Sequence, residues 1–213
     1  MQNWLEYFKI LGFEEIYLKK TPKKDQRIEK LKQLEKTVKN CTKCPLYKKR
    51  KQAVFADGNP YSPLMFIGEA PGEEEDKQGL PFVGRAGQLL TKLIKKMGLE
   101  REDVYITNIV KCRPENNRDP LPEEIEKCVP YLLEQIELIK PKVIVTLGRF
   151  SGGYLTKMVV GIKQYRGKWF EFNGIPVMPT FHPSYLLRNP QERWHVWDDM
   201  KEVLKKLNLK IPE

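Results

Sequence analysis

Short apolar runs alternate along this chain with segments whose apolar residues recur at helical spacing. The runs predict three buried strands, at residues 64–67, 104–110 and 143–147. Apolar residues three and four positions apart predict helices after each strand, at residues 89–97, 125–136 and 150–159. Pro130 removes a backbone donor from the second of these helices, so we expect a kink or break just after Cys128.

The two ends of the chain add further elements. Residues 1–40 predict an N-terminal helical extension, in which Ile28, Leu31, Leu34 and Val38 recur at helical spacing. Residues 41–213 then form one domain. Near its end, Asn173-Gly174 is a strong hairpin-turn signal between strands at 169–172 and 175–181.

Two prolines in the second arm of that hairpin, Pro176 and Pro179, predict a strand that is irregular or lies at a sheet edge. Asn189-Pro190 opens a final helix. Strands separated by helices indicate a mostly parallel sheet covered on both faces. The predicted fold is therefore α/β, a three-layer α/β/α sandwich with a central sheet of about four strands.

The chain of 213 residues has four cysteines, Cys41, Cys44, Cys112 and Cys128. They form a C-x2-C pair and, after a gap of 67 residues, a C-x15-C pair. Four thiolates from separate segments suit a metal site, either zinc or an iron–sulfur cluster. The alternative is four buried cysteines that act as small hydrophobic residues. Structural disulfides are less expected, because the N-terminus does not resemble a signal peptide.

The net charge of +10 is concentrated in one segment. Residues 1–51 contain 15 Lys and Arg against 6 Asp and Glu, while the rest of the chain is nearly balanced. A basic segment of this kind is typical of a surface that binds a polyanion, and equally of a solvated lysine-rich face. No apolar run approaches the roughly 20 residues that span a bilayer. We therefore expect a cytoplasmic protein with no membrane partner.

Polar side chains follow three of the predicted strands. Gly68–Asp76 follows the first, Asn108 ends the second, and His182 follows the last. In parallel sheets the ligand crevice lies outside the carboxyl ends of the strands, so a carboxylate, an amide and an imidazole are expected to meet there. Taken singly, the acidic run could be a helix start, and Asn108 and His182 could be turn residues. Together they favour a catalytic site.

Four segments, in order along the chain, carry a resemblance to a known family. They are GEAPGEEED at residues 68–76, PFVGRAG at 81–87, TNIVKCRP at 107–114 and PTFHPSYLLR at 179–188. In these segments and in its four cysteines, the chain from about residue 41 resembles the family 4 uracil-DNA glycosylases. The resemblance implies an enzyme of base excision repair that hydrolyses the N-glycosidic bond of uracil in single- and double-stranded DNA. It also implies a structural [4Fe–4S] cluster held by the four cysteines.

The resemblance further implies roles in recognition of the flipped base. Phe82 would stack on uracil, and Asn108 would read its edge and exclude cytosine. Glu75 would wall off C5, where thymine carries a methyl group. The turn formed by Gly68, Ala70 and Gly72 would line the pocket, and its backbone N–H groups would help to stabilise the uracil anion.

The remaining implied roles concern catalysis and DNA binding. His182 would stabilise the uracil anion, and Glu69 would activate water. Leu186 would fill the vacated base stack, with Leu187 as its nearest rival. Ser184 and Arg188 would complete the DNA contact.

The chain departs from related uracil glycosylases at two places, and both departures bear on the roles that the resemblance implies. The better-known uracil glycosylases place a catalytic aspartate in the first motif, where this chain has Ala70. A relative that traps DNA covalently uses a histidine in a segment that corresponds to residues 114–122, which contain none. We therefore expect turnover.

The alternatives are a silent iron–sulfur DNA-binding module and a glycosylase for another deaminated base. We also expect a monomer, with a sliding clamp as a further partner.

Overall fold

The computed structural model describes residues 25–212. Within this range six strands form one sheet, in the order β1-β3-β2-β4-β6-β5. The strands are β1 Asp57–Gly58, β2 Leu64–Gly68, β3 Tyr105–Asn108, β4 Val143–Leu147, β5 Phe170–Phe172 and β6 Ile175–Thr180. The four central strands are parallel, and β1 and β5 pair antiparallel at the two edges. The parallel core of four strands is as predicted, whereas the two-residue β1 is too short to leave a sequence pattern.

Seven α-helices accompany this sheet in the described part of the chain. They are α1 Arg27–Lys39, α2 Glu73–Gln78, α3 Arg85–Lys96, α4 Pro122–Ile139, α5 Arg149–Thr156, α6 Pro183–Arg188 and α7 Arg193–Lys206. Short 3₁₀ turns lie at Pro45–Lys48, Arg101–Asp103, Glu115–Asn117, Ile162–Gln164 and Pro190–Glu192. None of the described helices is long and apolar enough to cross a membrane.

The core is divided by the sheet into two layers, because successive strand residues point to opposite faces. Met65 and Ile67 pack with residues of α1, α4 and α5, while Leu64 and Phe66 pack with residues of α3 and α7. All five residues of β2 are buried, as expected for a strand that is covered on both sides. The three-layer α/β/α prediction is confirmed.

Of the kink or break expected just after Cys128, the break does not occur. Helix α4 runs unbroken from Pro122 to Ile139 with Pro130 inside it. Both Pro130 and Glu126, four residues earlier, are exposed. Water can therefore solvate the Glu126 carbonyl that loses its helical donor, which lowers the cost of the proline. The sequence pattern alone did not place Pro130 on the solvent face.

The prediction that the second hairpin arm is irregular or lies at a sheet edge is wrong, because Ile175–Thr180 form one strand, β6, with a neighbour on each side. Strand β6 lies between β4 and β5, and β5 is the edge strand. Pairing with β4 begins at Val177, one residue after Pro176. Pairing with β5 spans Ile175 to Val177 and ends before Pro179. Each proline thus lies beyond the end of one of the two ladders, where a missing N–H costs little.

Only part of the helical extension predicted for residues 1–40 lies within the residues that the structure describes. Residues 1–24 lie outside the described residues. Helix α1 lies within the predicted extension and buries Leu31, Leu34 and Val38 in the core layer that it shares with α4. The division of the chain at residue 41 stays a prediction.

Candidate active site

Gly68 and Asn108 end two neighbouring parallel strands and are paired in register. A β-carbon at Gly68 would overlap both the Oδ1 atom of Asn108 and the Cζ atom of Phe82. Only glycine therefore allows these two side chains to approach the end of β2 so closely. The amide lies at the carboxyl edge of the sheet, as the strand pattern predicted, and it meets there the aromatic ring that the family resemblance implied.

The side chain of Asn108 is almost completely buried, with 2% of its surface exposed. Its Oδ1 atom has no hydrogen-bond partner among the residues that the structure describes. A buried acceptor without a partner costs about 1–3 kcal/mol. Such a group is expected where a ligand supplies the missing donor.

Phe82 is held in an unusual backbone conformation, with a φ of 53°. This left-handed conformation is unfavourable for an aromatic residue, so the surrounding loop has to stabilise it. Arg101 donates to the carbonyl oxygens of Phe82 and Pro81 at 3.1 and 2.8 Å. Asp57, on β1, forms an ion pair with Arg101 at 2.6 Å and holds it in place.

Glu75 supports the same loop from α2. Its Oε1 atom accepts the backbone N–H groups of Val83 and Gly84, both at 2.9 Å, and its Oε2 atom accepts that of Gly72 at 3.1 Å. The buried carboxylate thus fixes the loop that carries Phe82. The same bond occupies the N–H of Gly72, which is therefore not free to stabilise an anion as the sequence analysis expected.

His182 precedes α6 and caps its N-terminus. Its Nδ1 atom accepts the backbone N–H of Ser184 at 3.1 Å and lies 2.7 Å from the Ser184 hydroxyl. Burial, together with the nearby charge of Arg188, lowers the pKa of His182 to about 4. The imidazole is therefore neutral at pH 7, with its proton on Nε2. Its ring centroid lies 5.7 Å from that of Phe82.

Glu69 directly follows β2, at the same sheet edge and half-buried. Its pKa is raised to about 7, mainly by burial and also by the negative charge of Asp119, with Arg149 acting in the opposite direction. Asp119 and Arg149 form an ion pair and are both exposed. Arg149 begins α5 after β4, which neighbours β2. The sequence analysis missed this pair, because its partners are 30 residues apart.

The family model for the uracil DNA glycosylase superfamily matches residues 55–207. The chain is 51% identical to the Type-4 uracil-DNA glycosylase of Saccharolobus solfataricus, over 81% of this chain and 84% of that protein. It is 54% identical to the Type-4 uracil-DNA glycosylase of Thermotoga maritima, over 71% of this chain and 80% of that protein. The chain belongs to the Type-4 uracil-DNA glycosylases.

A further relative lies just outside the Type-4 family. The chain is 29% identical to the Type-5 uracil-DNA glycosylase of Pyrobaculum aerophilum, over 69% of this chain and 79% of that protein. The lower identity places the Type-5 protein further from this chain than the Type-4 relatives. The family resemblance stated from the motifs is confirmed.

The predicted DNA-contacting residues of this Type-4 chain lie on α6, but they do not all face outward. Leu186 is only 4% exposed and packs in the core layer with α3 and α7. This burial argues against Leu186 as the wedge that fills the base stack. Leu187 is half-exposed and Arg188 is exposed. Ser184 is engaged with the His182 ring, which gives it a positioning role.

All four cysteines line one cavity. It lies where three parts of the chain meet: the end of α1 with the residues that follow it, the segment after β3, and helix α4. Three donors point at the cysteine sulfurs. Arg50 Nη1 lies 2.9 Å from Cys112 Sγ, and the backbone nitrogens of Lys111 and Lys43 lie 3.2 Å from Cys128 Sγ and 3.5 Å from Cys41 Sγ. Within residues 25–212, no three His, Cys, Asp or Glu side chains are grouped closely enough to hold a single metal ion. The shared cavity and the donors to sulfur suit a group bound by four thiolates.

Lys111 connects this cavity to the candidate active site and was missed by the sequence analysis. Its side chain is fully buried, and Nζ donates to the Asn108 carbonyl at 2.7 Å and to Thr107 Oγ1 at 2.6 Å. A third bond, of 2.5 Å, reaches Gln135 Oε1 on α4. These bonds fix the backbone from which the Asn108 side chain projects.

Proposed function

We propose that this Type-4 chain flips uracil out of DNA and hydrolyses its N-glycosidic bond, which leaves an abasic site. The observation that carries the proposal is the buried Oδ1 atom of Asn108, which has no partner among the described residues and lies beside Phe82. Uracil offers the missing donor, because its N3 carries a hydrogen. The N3 atom of cytosine has no hydrogen and would leave the acceptor unsatisfied.

Recognition combines stacking with this edge contact. Phe82 provides an aromatic face for the flipped base, which is worth about 1–3 kcal/mol. Asn108 Oδ1 accepts N3–H, and its amide nitrogen donates to O4. Glu75 and Arg101 hold the Phe82 loop in the required conformation before the base arrives. The role of Glu75 as a barrier to the thymine methyl group stays a prediction.

Bond cleavage places positive charge on the sugar and negative charge on uracil O2. Neutral His182 has its proton on Nε2 and would donate it in a hydrogen bond to O2 as the charge develops. Glu69, when ionised, would orient the attacking water and stabilise the cationic sugar. No proton needs to leave His182, which agrees with its lowered pKa.

Leu187 is the residue of α6 that we propose as the wedge, because it is partly exposed whereas Leu186 is buried. An apolar wedge offsets part of the few kcal/mol that unstacking costs. Arg188, next to it, would contact a phosphate. We propose that the enzyme acts on both single- and double-stranded DNA.

Cys41, Cys44, Cys112 and Cys128 would hold a [4Fe–4S] cluster. The cluster would tie the segment after α1 to the segment after β3, and would take no part in bond cleavage. The donors from Arg50 and Lys111 to sulfur support this assignment, because such bonds stabilise negatively charged clusters. Iron and sulfide analysis of the purified protein, with Cys128→Ser for comparison, tests it. Four irons per chain are expected in the wild type and fewer in the variant.

The function is tested by product analysis. Oligonucleotides with one uracil, hypoxanthine or xanthine are incubated with the protein, and the released base is identified by mass spectrometry. Free uracil from the first substrate alone supports the proposal. Release of another base at a higher rate would contradict it and favour a shifted substrate. Release of none, with DNA binding intact, would favour a silent binding module.

A further inference from the structure

A cavity of about 460 Å³ opens between α3, α6 and α7, outside the site described above. This size is in the range of ligand pockets in proteins. Leu186 forms part of its floor. Lys92 and Lys96 lie on the α3 side, and Arg193, Trp194 and Trp197 on the α7 side. We refer to the cavity lined by these six residues as the tryptophan groove.

The charge and aromatic content of the tryptophan groove fit one class of ligand. Three cations line it and none of its lining residues is acidic. Trp194 is 70% exposed, which is unusual for a side chain of its size. The Lys96 ammonium lies 4.6 Å from the ring centroid of Trp197 and 5.3 Å from that of Trp194. Aromatic faces among cations are the features that bind bases and phosphates of single-stranded nucleic acid.

Helix α6 joins the tryptophan groove to the candidate active site. His182, whose ring faces Phe82, directly precedes this helix, and the helix residues Pro183 and Leu186 line the groove. Leu187 and Arg188, on the same helix, are more exposed to solvent. A DNA strand that places a nucleotide at Phe82 therefore has a path along α6 to Trp194.

We propose that the tryptophan groove binds bases of the single-stranded DNA that flanks the uracil on the same strand, with Trp194 as the stacking platform. The proposal rests on the proposed function for the identity of the strand. A second copy of this chain is a poorer occupant, because it would bring another +10 charges to a groove that is itself positive. An occupant with phosphates neutralises Lys92, Lys96 and Arg193 instead.

The test compares Trp194→Ala with Trp169→Ala as a matched control. Trp169 is also partly exposed and has a lysine, Lys206, at 5.5 Å from its ring, but it lies outside the groove. Fluorescence anisotropy measures the Kd for a labelled single-stranded oligonucleotide of about 20 nucleotides that lacks uracil, a length well above the 4–16 nucleotides typical of one single-strand binding module. Uracil release from a short uracil oligonucleotide at saturation is measured on the same proteins.

Trp194→Ala is expected to raise the Kd by about 5- to 150-fold, since one stacked base contributes ~1–3 kcal/mol. Trp169→Ala should leave it unchanged, and Trp194→Phe should recover part of the loss. The rate of uracil release at saturation should match the wild type in all three. If Trp194→Ala does not fold, Lys96→Gln should still weaken binding and reduce its dependence on salt.

Three results would overturn the groove proposal. They are an unchanged Kd for Trp194→Ala, an equal loss for Trp169→Ala, and a dimer in sedimentation that Trp194→Ala dissociates, which would make a second copy of this chain the occupant. Failure of the proposed function looks different: the wild type would bind the oligonucleotide through Trp194 but release no uracil.

Discussion

The Nδ1 atom of His182 lies 3.1 Å from the backbone nitrogen of Ser184 and accepts its N–H. This bond selects the neutral tautomer that carries its proton on Nε2. The lowered pKa keeps the ring in this state throughout the neutral pH range. A neutral donor can stabilise a developing anion without first being protonated, so catalysis by His182 should not require acid.

His182→Ala is expected to lower kcat about 10²- to 10³-fold, the usual cost of losing one oxyanion donor. Affinity for DNA that contains an uncleavable uracil analogue should remain close to that of the wild type. His195→Ala is the control, because it removes the only other histidine, which is exposed on α7. Single-turnover kinetics measure both variants. Full activity of His182→Ala would disprove its role as the donor.

Asn108→Asp is expected to admit cytosine. A protonated carboxyl group donates to cytosine N3 and accepts from N4, which reverses the pattern that the amide presents to uracil. Cytosine release should therefore appear in the variant and increase toward lower pH. Asn173→Asp, in the exposed hairpin turn, is the control. If no pH gives cytosine release, Asn108 does not read the base edge.

The pH dependence of kcat should report Glu69. The carboxylate is the active form and burial raises its pKa to about 7, so the rate should rise through pH 7 and fall below it. Asp119→Asn removes a negative neighbour, so it should lower the pKa of Glu69 and move this acidic limb of the pH–rate profile to lower pH. Arg149→Gln removes a positive neighbour and should move the limb to higher pH. Each displacement should be less than about one pH unit, because both charges are exposed.

The acidic limb should disappear in Glu69→Gln, which retains only a slow, pH-independent rate. A limb that stays in place in Asp119→Asn and Arg149→Gln would show that another group controls it. His182 is a poor alternative, since its pKa lies near 4.

Glu75→Ala should destabilise the Phe82 loop. The substitution removes the acceptor of three backbone N–H groups, and we expect a loss of about 2–4 kcal/mol in the free energy of unfolding together with weaker uracil binding. Glu74→Ala, at an exposed position of the same helix, should change neither. Urea denaturation and inhibition by free uracil measure the two effects. Wild-type stability in Glu75→Ala would contradict the support that we assign to this carboxylate.

The sequence predicted the parallel core and the meeting of Asn108 and His182, because apolar runs locate strands and the ends of parallel strands share one edge. The place of Phe82 beside them was implied only by the family resemblance. The sequence could not predict which of two adjacent leucines is buried, since Leu186 faces the core only through the packing of α6 on α3 and α7. The Asp119–Arg149 pair and the bonds of Lys111 to Gln135 likewise depend on contacts between distant segments.

The positions of Pro130 and β6 illustrate the same limit. A proline in the sequence shows only that one backbone N–H is missing. How much stability that costs depends on whether water can solvate the carbonyl left without a donor, as in α4, or on whether a strand is paired at that position, as in β6. Both are properties of the assembled sheet and helices, so the prolines suggested a break and an edge that the fold does not have.

The most direct test of the account uses a 5′-labelled oligonucleotide with a single uracil, and matched oligonucleotides with cytosine or thymine at that position. After incubation with the protein, alkali cuts the strand wherever a base has been removed. We expect a cut at uracil alone, with many strands processed by each protein molecule. An intact uracil strand, from folded protein that binds the same DNA, would contradict it.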